Sequence, residues 1–514
     1  DNAYKGGGGV GDLNEVHRME TFDMDATNGF LDSKWYHLYC SVQRCNSALR
    51  VLNAATDEQV NGRVSRIAEM KVLRAHYYFE LSRLFNKIPY FDENVEISQY
   101  PDIPNNEFTR DEILSMLAKE MLDAAEQLPA SQPEVGRIHK YIALAYAAKI
   151  KLYQAYQQDE ITHAVTSINK ELLREVVSLC DQVTASNRYG LLDDFQGLDL
   201  VTNENGKESV FAIQYSMNDG TESAGRINWS NLLNSPGGGS PYGGDGFFLP
   251  SQDLINAYQT DANGLPDFNY QSKSDYSWAV LNNGVYTLQN TTPNVDPRLD
   301  FVVGRPTITW KTYPDKPCEG WVRDKDTYGY NCAKRFWVSP ESSDMFNGWP
   351  WGASQLNWQI IRYADILLWK AEALIELNEG NGLETARDLI NQIRNRARNS
   401  AYVKDFNDHS KYAANYLVNP YPADVWNQDY ARQALRWETR LEKALEGERF
   451  FDLVRWGIVE TTMNKYITAE SDNRIYYANA HFTGGKDEYY PVPNNQYGFS
   501  GGKYVQNPGY APFN

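Results

Sequence analysis

The sequence predicts a mainly α-helical fold, a tetratricopeptide-like scaffold of helix pairs interrupted by one large loop-rich insertion that carries short β-strands. Three observations lead there. Apolar residues recur at helical spacing in segments of roughly twenty residues, and these segments come in pairs. One of them, within "RIAEMKVLRAHYYFELSRLFNKIPYFDE" (66–93), has almost no polar face. Between 190 and 358 the composition turns to Gly, Pro, Asn and Asp.

In chain order, "WYHLYCSVQRCNSALRVLNA" (35–54) and the 66–93 stretch, helical until Pro89, form a first pair. Met70, Leu73, Tyr77, Leu81 and Leu84 make one stripe, and Val72, Ala75 and Phe79 a second beside it, so this helix packs on two sides. That is what a stack of helix pairs requires. An ordinary helical core without repeats is the plainer alternative, because the repeat signature residues are not cleanly present. A second pair follows at 109–128 and 137–156, the first opened by a Thr109–Glu112 capping box, and a fifth helix spans 169–186. The pattern returns at 359–378, 383–398 and 434–457. In the insertion "SVFAIQYS" (209–216) reads as a strand, and the rest as long loops lying on the scaffold. The expected organisation is one unit over 1–514, with scaffold at 31–190 and 359–460, a variable ligand-binding region at 191–358 and an irregular segment at 461–514.

Composition narrows the function. A formal charge of −18 disfavours nucleic acid, whose binding depends on Lys and Arg clusters releasing counterions. No run approaches the roughly 18 apolar residues of a membrane span. The five cysteines include no CxxC pair; Cys318 and Cys332 share one loop-rich segment, where a bridge and two free thiols are both open, and the odd total leaves at least one thiol free. The chain opens on "DNAYKGGGGVGD", without Met, basic or apolar leader regions, and reads as a fragment or processed form.

Catalytic motifs fail on context. "GFSGG" (498–502) matches a nucleophile elbow, but neither Asp nor His follows it. "DKDTYGYNCAKR" begins like a calcium loop but has Arg335 at its twelfth position. The histidines lack metal-site spacing, and "GGGG" (6–9) lacks the Lys of a phosphate loop. Neither catalytic residues, nor a metal, nor a cofactor is expected. Glu438, Glu442 and Glu446 share one helical face and precede Arg449, Asp452 and Arg455, which reads as ion-pair bracing around Gly447 in preference to acid/base catalysis.

Tryptophan is the informative residue. Eight of thirteen (Trp229, Trp278, Trp310, Trp321, Trp337, Trp349, Trp351, Trp358) fall between 229 and 358. Indole faces in loops suit stacking on the C–H side of sugar rings, with nearby Asn, Asp, Arg and Tyr bonding hydroxyls. At least half are expected instead to plug loops onto the scaffold. "NGWPWGAS" (347–354) is the best exposed candidate, because Gly and Pro bracket its two indoles.

At "AEMKVLRAHYYFELSRLFNKIPY" and "ALRWETRLEKALEGERFFDLVRWG" the chain resembles the SusD/RagB family of cell-surface glycan-binding lipoproteins. Supporting stretches are "PSQDLINAYQTDANGLPD", "NVDPRLDFVVG", "NWQIIRYADILLWKAEALIELN", "YYPVPNNQ" and "QNPGY". The resemblance implies a tetratricopeptide-like scaffold with a variable face, capture of oligosaccharide at a Gram-negative cell surface, and handover to a SusC-like TonB-dependent outer-membrane transporter. It also implies a signal peptide and lipid anchor, absent from this chain, and an outer-membrane, extracellular location. Thr439 and Lys443 stand where the family more usually has Arg and Leu. The family's ligand regions map here to Asp23, Asp25, Asn28 and Trp35 near the start. In the insertion they map to Trp278, Trp310, Trp321, Tyr330, Arg335, Trp349 and Trp351. Arg335 suits a bidentate bond to vicinal hydroxyls or a uronate, or a structural ion pair. The expected function is non-enzymatic glycan capture. A glycoside hydrolase and a protein-binding helical-repeat adaptor or transporter lid are the alternatives.

Overall fold

The computed structural model describes residues 1–221, 225–228, 232–311, 313–349 and 351–513. The chain divides into two compact units. A helical unit takes Thr21–Arg188, Phe450–Thr461 and His481–Asn514, and an insertion unit takes Asp1–Glu20, Tyr189–Arg449 and Thr462–Ala480. The scaffold block drawn from sequence at 31–190 falls almost wholly in the first. Block 191–358 and most of 359–460 fall in the second.

In the helical unit, α1 (Gly29–Ala54), α2 (Arg63–Phe85), α3 (Arg110–Gln127), α4 (Lys140–Ala155) and α5 (Lys170–Ala185) pack each on the next. The two-striped helix is α2, which lies between α1 and α3. Val72, Ala75 and Phe79 are fully buried, as are Tyr78 and Leu81, whereas Met70, Leu73 and Tyr77 are only half-buried. Arg74, buried on α2, ties the three helices together through Asn46 Oδ1 (2.7 Å) and ion pairs to Glu93 and Glu120. The helix ends at Phe85, before Pro89, because Asn86 leaves helical geometry with φ 56°. Its last carbonyls find partners nearby. Tyr490 N donates to Leu84 O (2.8 Å) and Asn507 Nδ2 to Phe85 O (2.7 Å), which gives the terminal "QNPGY" a capping role. The predicted capping box on α3 forms, with Thr109 N donating to Glu112 Oε2 at 2.8 Å.

In the insertion unit the strands are short. They are β1 (Ala3–Gly6), β2 (Ser209–Ile213), β3 (Phe247–Pro250), β4 (Trp278–Asn282), β5 (Val285–Gln289) and β6 (Trp358–Arg362). They pair antiparallel as β1–β3, β2–β6 and β4–β5, each a separate two-stranded piece, alongside other two-stranded pairs. Helices α6 (Tyr363–Leu377), α7 (Gly382–Asn399) and α8 (Gln428–Glu442) pack on one another around Leu367, Leu368, Ile390, Ile393 and Leu435. The 434–457 stretch turns at Gly447, as expected of a helix-turn-helix: α8 stops at Glu442, and a separate helix, Arg449–Arg455, follows Gly447 at φ 82°. The tail expected to be irregular contains the helix Val459–Glu470. The Cys318 and Cys332 sulfurs, whose pairing the sequence left open, lie 3.7 Å apart and buried as free thiols. No helix among the described residues is long and apolar enough to cross a membrane.

The three glutamates of α8 and its C-terminal extension are each held in ion pairs. Arg362, at the end of β6, donates to Glu442 (2.6 Å), Glu208 (3.0 Å) and Glu446 (3.0 Å). Arg396 binds Glu442 and Glu208, Arg298 pairs with Glu438 (2.6 Å) and Glu442 (3.1 Å), and Arg394 reaches Glu438 (3.0 Å). Lys443, where the family more usually has Leu, pairs with Asp365 of α6. The carboxylates are therefore bracing, as expected, but their partners are the distant Arg298, Arg362, Arg394 and Arg396 and not the nearby Arg449 and Arg455, which pair with Asp1 and Asp452.

Burial works to raise the Glu442 pKa, but the guanidiniums of Arg396, Arg362 and Arg298 outweigh it and hold it down to about 2. The stability this carboxylate contributes is present above its ordinary range and is lost as pH falls toward 2. Glu442→Gln is therefore expected to lower unfolding free energy in urea by about 3–5 kcal/mol at pH 7, because it leaves buried arginines uncompensated. The gap to the unsubstituted protein should narrow in unfolding curves taken from pH 5 down to pH 2.5.

Candidate functional site

The segment leading into β6 is rich in Gly and Trp, and its hydrogen bonds make it a closed loop. Gln355 N donates to Asp344 O (3.1 Å) and Phe346 N to Ala353 O (2.8 Å), while Gln355 Nε2 bonds the Asp344 carboxylate (2.7 Å). The base is fixed further by Asn228, whose N donates to Ser354 O (2.8 Å) and whose Nδ2 donates to Leu356 O (2.8 Å). Beyond this base the tip carries Trp349, 69% exposed, and Trp351, 52% exposed. Trp351 is held at its backbone, where Ser235 Oγ donates to its carbonyl (3.3 Å), and its ring lies against Gly243. Gly352 is required beside it: φ is +74°, and a Cβ there would stand 2.7 Å from the Cβ of Ser235. Pro350, between the indoles, and Trp229 lie outside the described residues.

A second exposed aromatic surface sits on the β4–β5 hairpin. Asn283 and Gly284, both at positive φ, make the two-residue turn that an Asn-Gly pair favours. Trp278 (44% exposed) stands at the start of β4, with Leu281 and Val285 also exposed. Tyr286 of β5 meets half-buried Tyr330 edge to face at 5.4 Å. Tyr286 was missed in the sequence, where nothing but its strand register marks it.

Other sequence-predicted site residues are corrected by burial. Trp310 and Trp321 are core anchors: their rings meet at 5.0 Å, and the Trp310 indole N–H donates to Tyr242 Oη (3.0 Å). Trp35 is likewise buried, against Phe85, Tyr39 and Tyr504. Arg335 is 3% exposed, pairs with Asp199 (3.2 Å) and Glu446 (3.4 Å), and lies over the Phe336 ring (4.6 Å). Of the two readings open in the sequence it takes the ion pair. Asn28 is buried as the N-cap of α1, accepting from Phe30 N (3.0 Å) and Leu31 N (3.3 Å).

Asp23 is exposed and Asp25 half-buried, both in the helical unit. Asp25 orders its own turn by accepting from Thr27 N (2.8 Å) and borders a groove of about 350 Å³. Asn494, Tyr497, Tyr510 and Phe513 also line it, and Tyr497 stacks on Phe513 at 4.1 Å. These C-terminal aromatics were missed in the sequence, because their neighbours there are loop residues without periodicity.

The exposed indoles of the loop and the hairpin present ring faces of the kind that stack on flat ligands. The comparisons agree on the kin of the chain. A model described as the SusD family matches residues 207–510, and one described as "Starch-binding associating with outer membrane" matches residues 11–152. The chain belongs to the SusD family. A SusD-like protein of Bacteroides ovatus is 22% identical over 457 residues, covering 85% of this chain and 67% of that relative. The solved SusD superfamily protein of Bacteroides vulgatus superposes with a TM-score of 0.71 at 21% identity, covering 99% of this chain and 92% of that one. Surface glycan-binding protein A of Bacteroides thetaiotaomicron, solved with laminarihexaose, gives a TM-score of 0.64 at 18% identity, with 99% and 91% covered.

Burial separates two classes of tryptophan that composition groups together. Trp310→Ala is expected to cost about 3–5 kcal/mol in urea unfolding, as a large buried ring leaves a cavity. Trp349→Ala and Trp351→Ala should each stay within about 0.5 kcal/mol of the unsubstituted protein.

Proposed function

We propose that this protein is a non-enzymatic, cell-surface glycan-binding protein. It captures oligosaccharide on Trp349 and Trp351 and hands it to a TonB-dependent outer-membrane transporter. The observation that carries this reading is the pair of exposed indoles at the tip of a loop whose base is fixed by hydrogen bonds. Such a tip presents ring faces that are already oriented, so little ordering is lost when a sugar stacks on them. Trp278 and Tyr330 on the hairpin side, and Asp23 and Asp25 at the groove of the helical unit, are secondary contact groups.

Kinship supports the same reading. One structural relative is a laminarin-binding SusD-like protein, another carries laminarihexaose, and one matching family description names starch and the outer membrane. The proposal extends to a lipid anchor at the outer face of that membrane. A hydrolase is disfavoured by Glu438, Glu442 and Glu446, all held by arginines within bonding distance. Carboxylates so braced are not free to exchange protons with a substrate.

Titration calorimetry against laminarin, starch and acidic polysaccharides and their oligosaccharides tests the reading. Saturable binding to one class is expected, weakened at least tenfold in a Trp349→Ala/Trp351→Ala variant. Equal affinity in that variant would remove the indoles from the site, and silence across the panel would leave a transporter lid or protein adaptor. Prolonged incubation with the bound glycan should release no reducing sugar.

A further inference from the structure

A cavity of about 460 Å³ lies within the insertion unit and shares no lining residue with the tryptophan loop. Its walls include Phe195, Asn203, Lys311, Lys334, Trp337 and Ser339. That volume is in the range of small-ligand sites. The charges around it are mostly settled. Lys207 pairs with Asp193 (2.9 Å), and Lys311 and Arg335 pair with Asp199 (2.9 and 3.2 Å). The Asp194 carboxylate accepts from Gln196 N (2.9 Å) and Ala401 N (3.2 Å).

One cation is left over. Lys334 is 1% exposed, and its ammonium donates to two backbone carbonyls, Asp300 O (2.6 Å) and Thr309 O (3.0 Å), with no carboxylate in ion-pair range among the described residues. The nearby Asp300 carboxylate is taken by Arg305 (2.7 Å) and the Tyr416 hydroxyl (2.5 Å). Burial pulls the Lys334 pKa down to about 8, which still leaves the group mostly charged at neutral pH. A second polar group is also unsatisfied. The Trp337 side chain is 4% exposed, and its indole N–H has no acceptor among the described residues. Lys334 thus has two carbonyls and, at 5.9 Å, the Trp310 ring for partners but no counter-charge; a buried cation without counter-charge and a buried donor without acceptor are each costly, and both residues line the same empty space.

We propose that this cavity binds an acidic sugar unit, its carboxylate received by the Lys334 ammonium and the Trp337 indole N–H. Asn203 and Ser339 are the wall groups available to its hydroxyls. A neutral sugar would fill the space but leave Lys334 uncompensated. The proposal rests on the glycan-binding reading and adds to it a second site with its own charge preference.

The test is titration of the full chain, labelled with ¹⁵N-tryptophan, with sodium glucuronate, sodium galacturonate, glucose and sodium sulfate. One of the uronates is expected to shift the Trp337 indole resonance saturably, that resonance being assigned by its loss in Trp337→Phe, while glucose leaves it unmoved. Lys334→Met should weaken uronate binding at least tenfold with thermal unfolding preserved. If that variant does not fold, calorimetry on Trp337→Phe supplies the same comparison, with a loss of at least fivefold expected. In a Trp349→Ala/Trp351→Ala variant the Trp337 resonance should still shift with the uronate at the same concentrations, so failure here is distinct from failure of the tryptophan loop as a glycan site. Equal response to glucose and uronate, an unmoved Trp337 resonance, or loss of binding in the tip variant would each overturn the cavity site. Sulfate binding as tightly as the uronate would overturn the sugar and leave a site for free anions.

Discussion

Arg362 is the residue on which the insertion unit closes. It ends β6, caps the first turn of α6 through its backbone N–H to Asp365, and spreads its guanidinium over Glu208, Glu442 and Glu446. Those acids come from the edge of β2, the end of α8 and the turn beyond it. The segments around residues 208, 362 and 442–446, far apart in sequence, are thereby joined through one planar cation. Arg396 and Arg298 share Glu442 with it, so the arrangement is a lattice of charges with few free directions. A buried network of this kind contributes little net stability over a well-packed apolar core, but it is intolerant of a missing member. Its effect is to fix register: β6 reaches α6 in one alignment only, and the tryptophan loop is the segment that runs directly into β6.

The helices were legible in the sequence because their signal is periodic and local. Thr109 with Glu112, the two stripes of α2 and the apolar runs of α6 and α7 each specify an element without reference to distant parts. Boundaries were read less well where distant residues decide them. The end of α2 is set at Asn86 and held by Tyr490 and Asn507, some 400 residues away, and no local pattern announces that.

The site was legible only in part. Trp349 and Trp351 could be singled out because Gly and Pro on both sides prevent them from joining a helix or a regular sheet. Trp310 and Trp321 sit in a segment of the same composition, yet they meet each other and Tyr242 in the interior. The difference lies in which loops fold back on which, and that is written in contacts such as Trp310 with Gly304, where a Cβ would come within 2.5 Å of the ring. Arg335 is the same lesson in charge. Its partners Asp199 and Glu446 lie more than a hundred residues away on either side, so its use as an internal brace was invisible to spacing. Asn28 was misassigned too, although its capping of the helix that begins at Gly29 is a local event.

The closure of the tryptophan loop at Phe346 and Ala353 has a consequence for how such a protein changes over time. Most of what registers the loop lies at or below that hydrogen bond, apart from Trp351 and Gly352 against Ser235, and the exposed indoles lie above it. Lengthening a loop whose ends are already held is cheap, about 0.6 kcal/mol for each doubling. Insertions, deletions and substitutions among residues 347–352 are therefore nearly silent for folding, apart from Gly352 against Ser235. Selection can rewrite the outer surface residue by residue while the rest of the chain stays under an unrelated constraint, so homologues would be expected to diverge fastest where they meet their ligands.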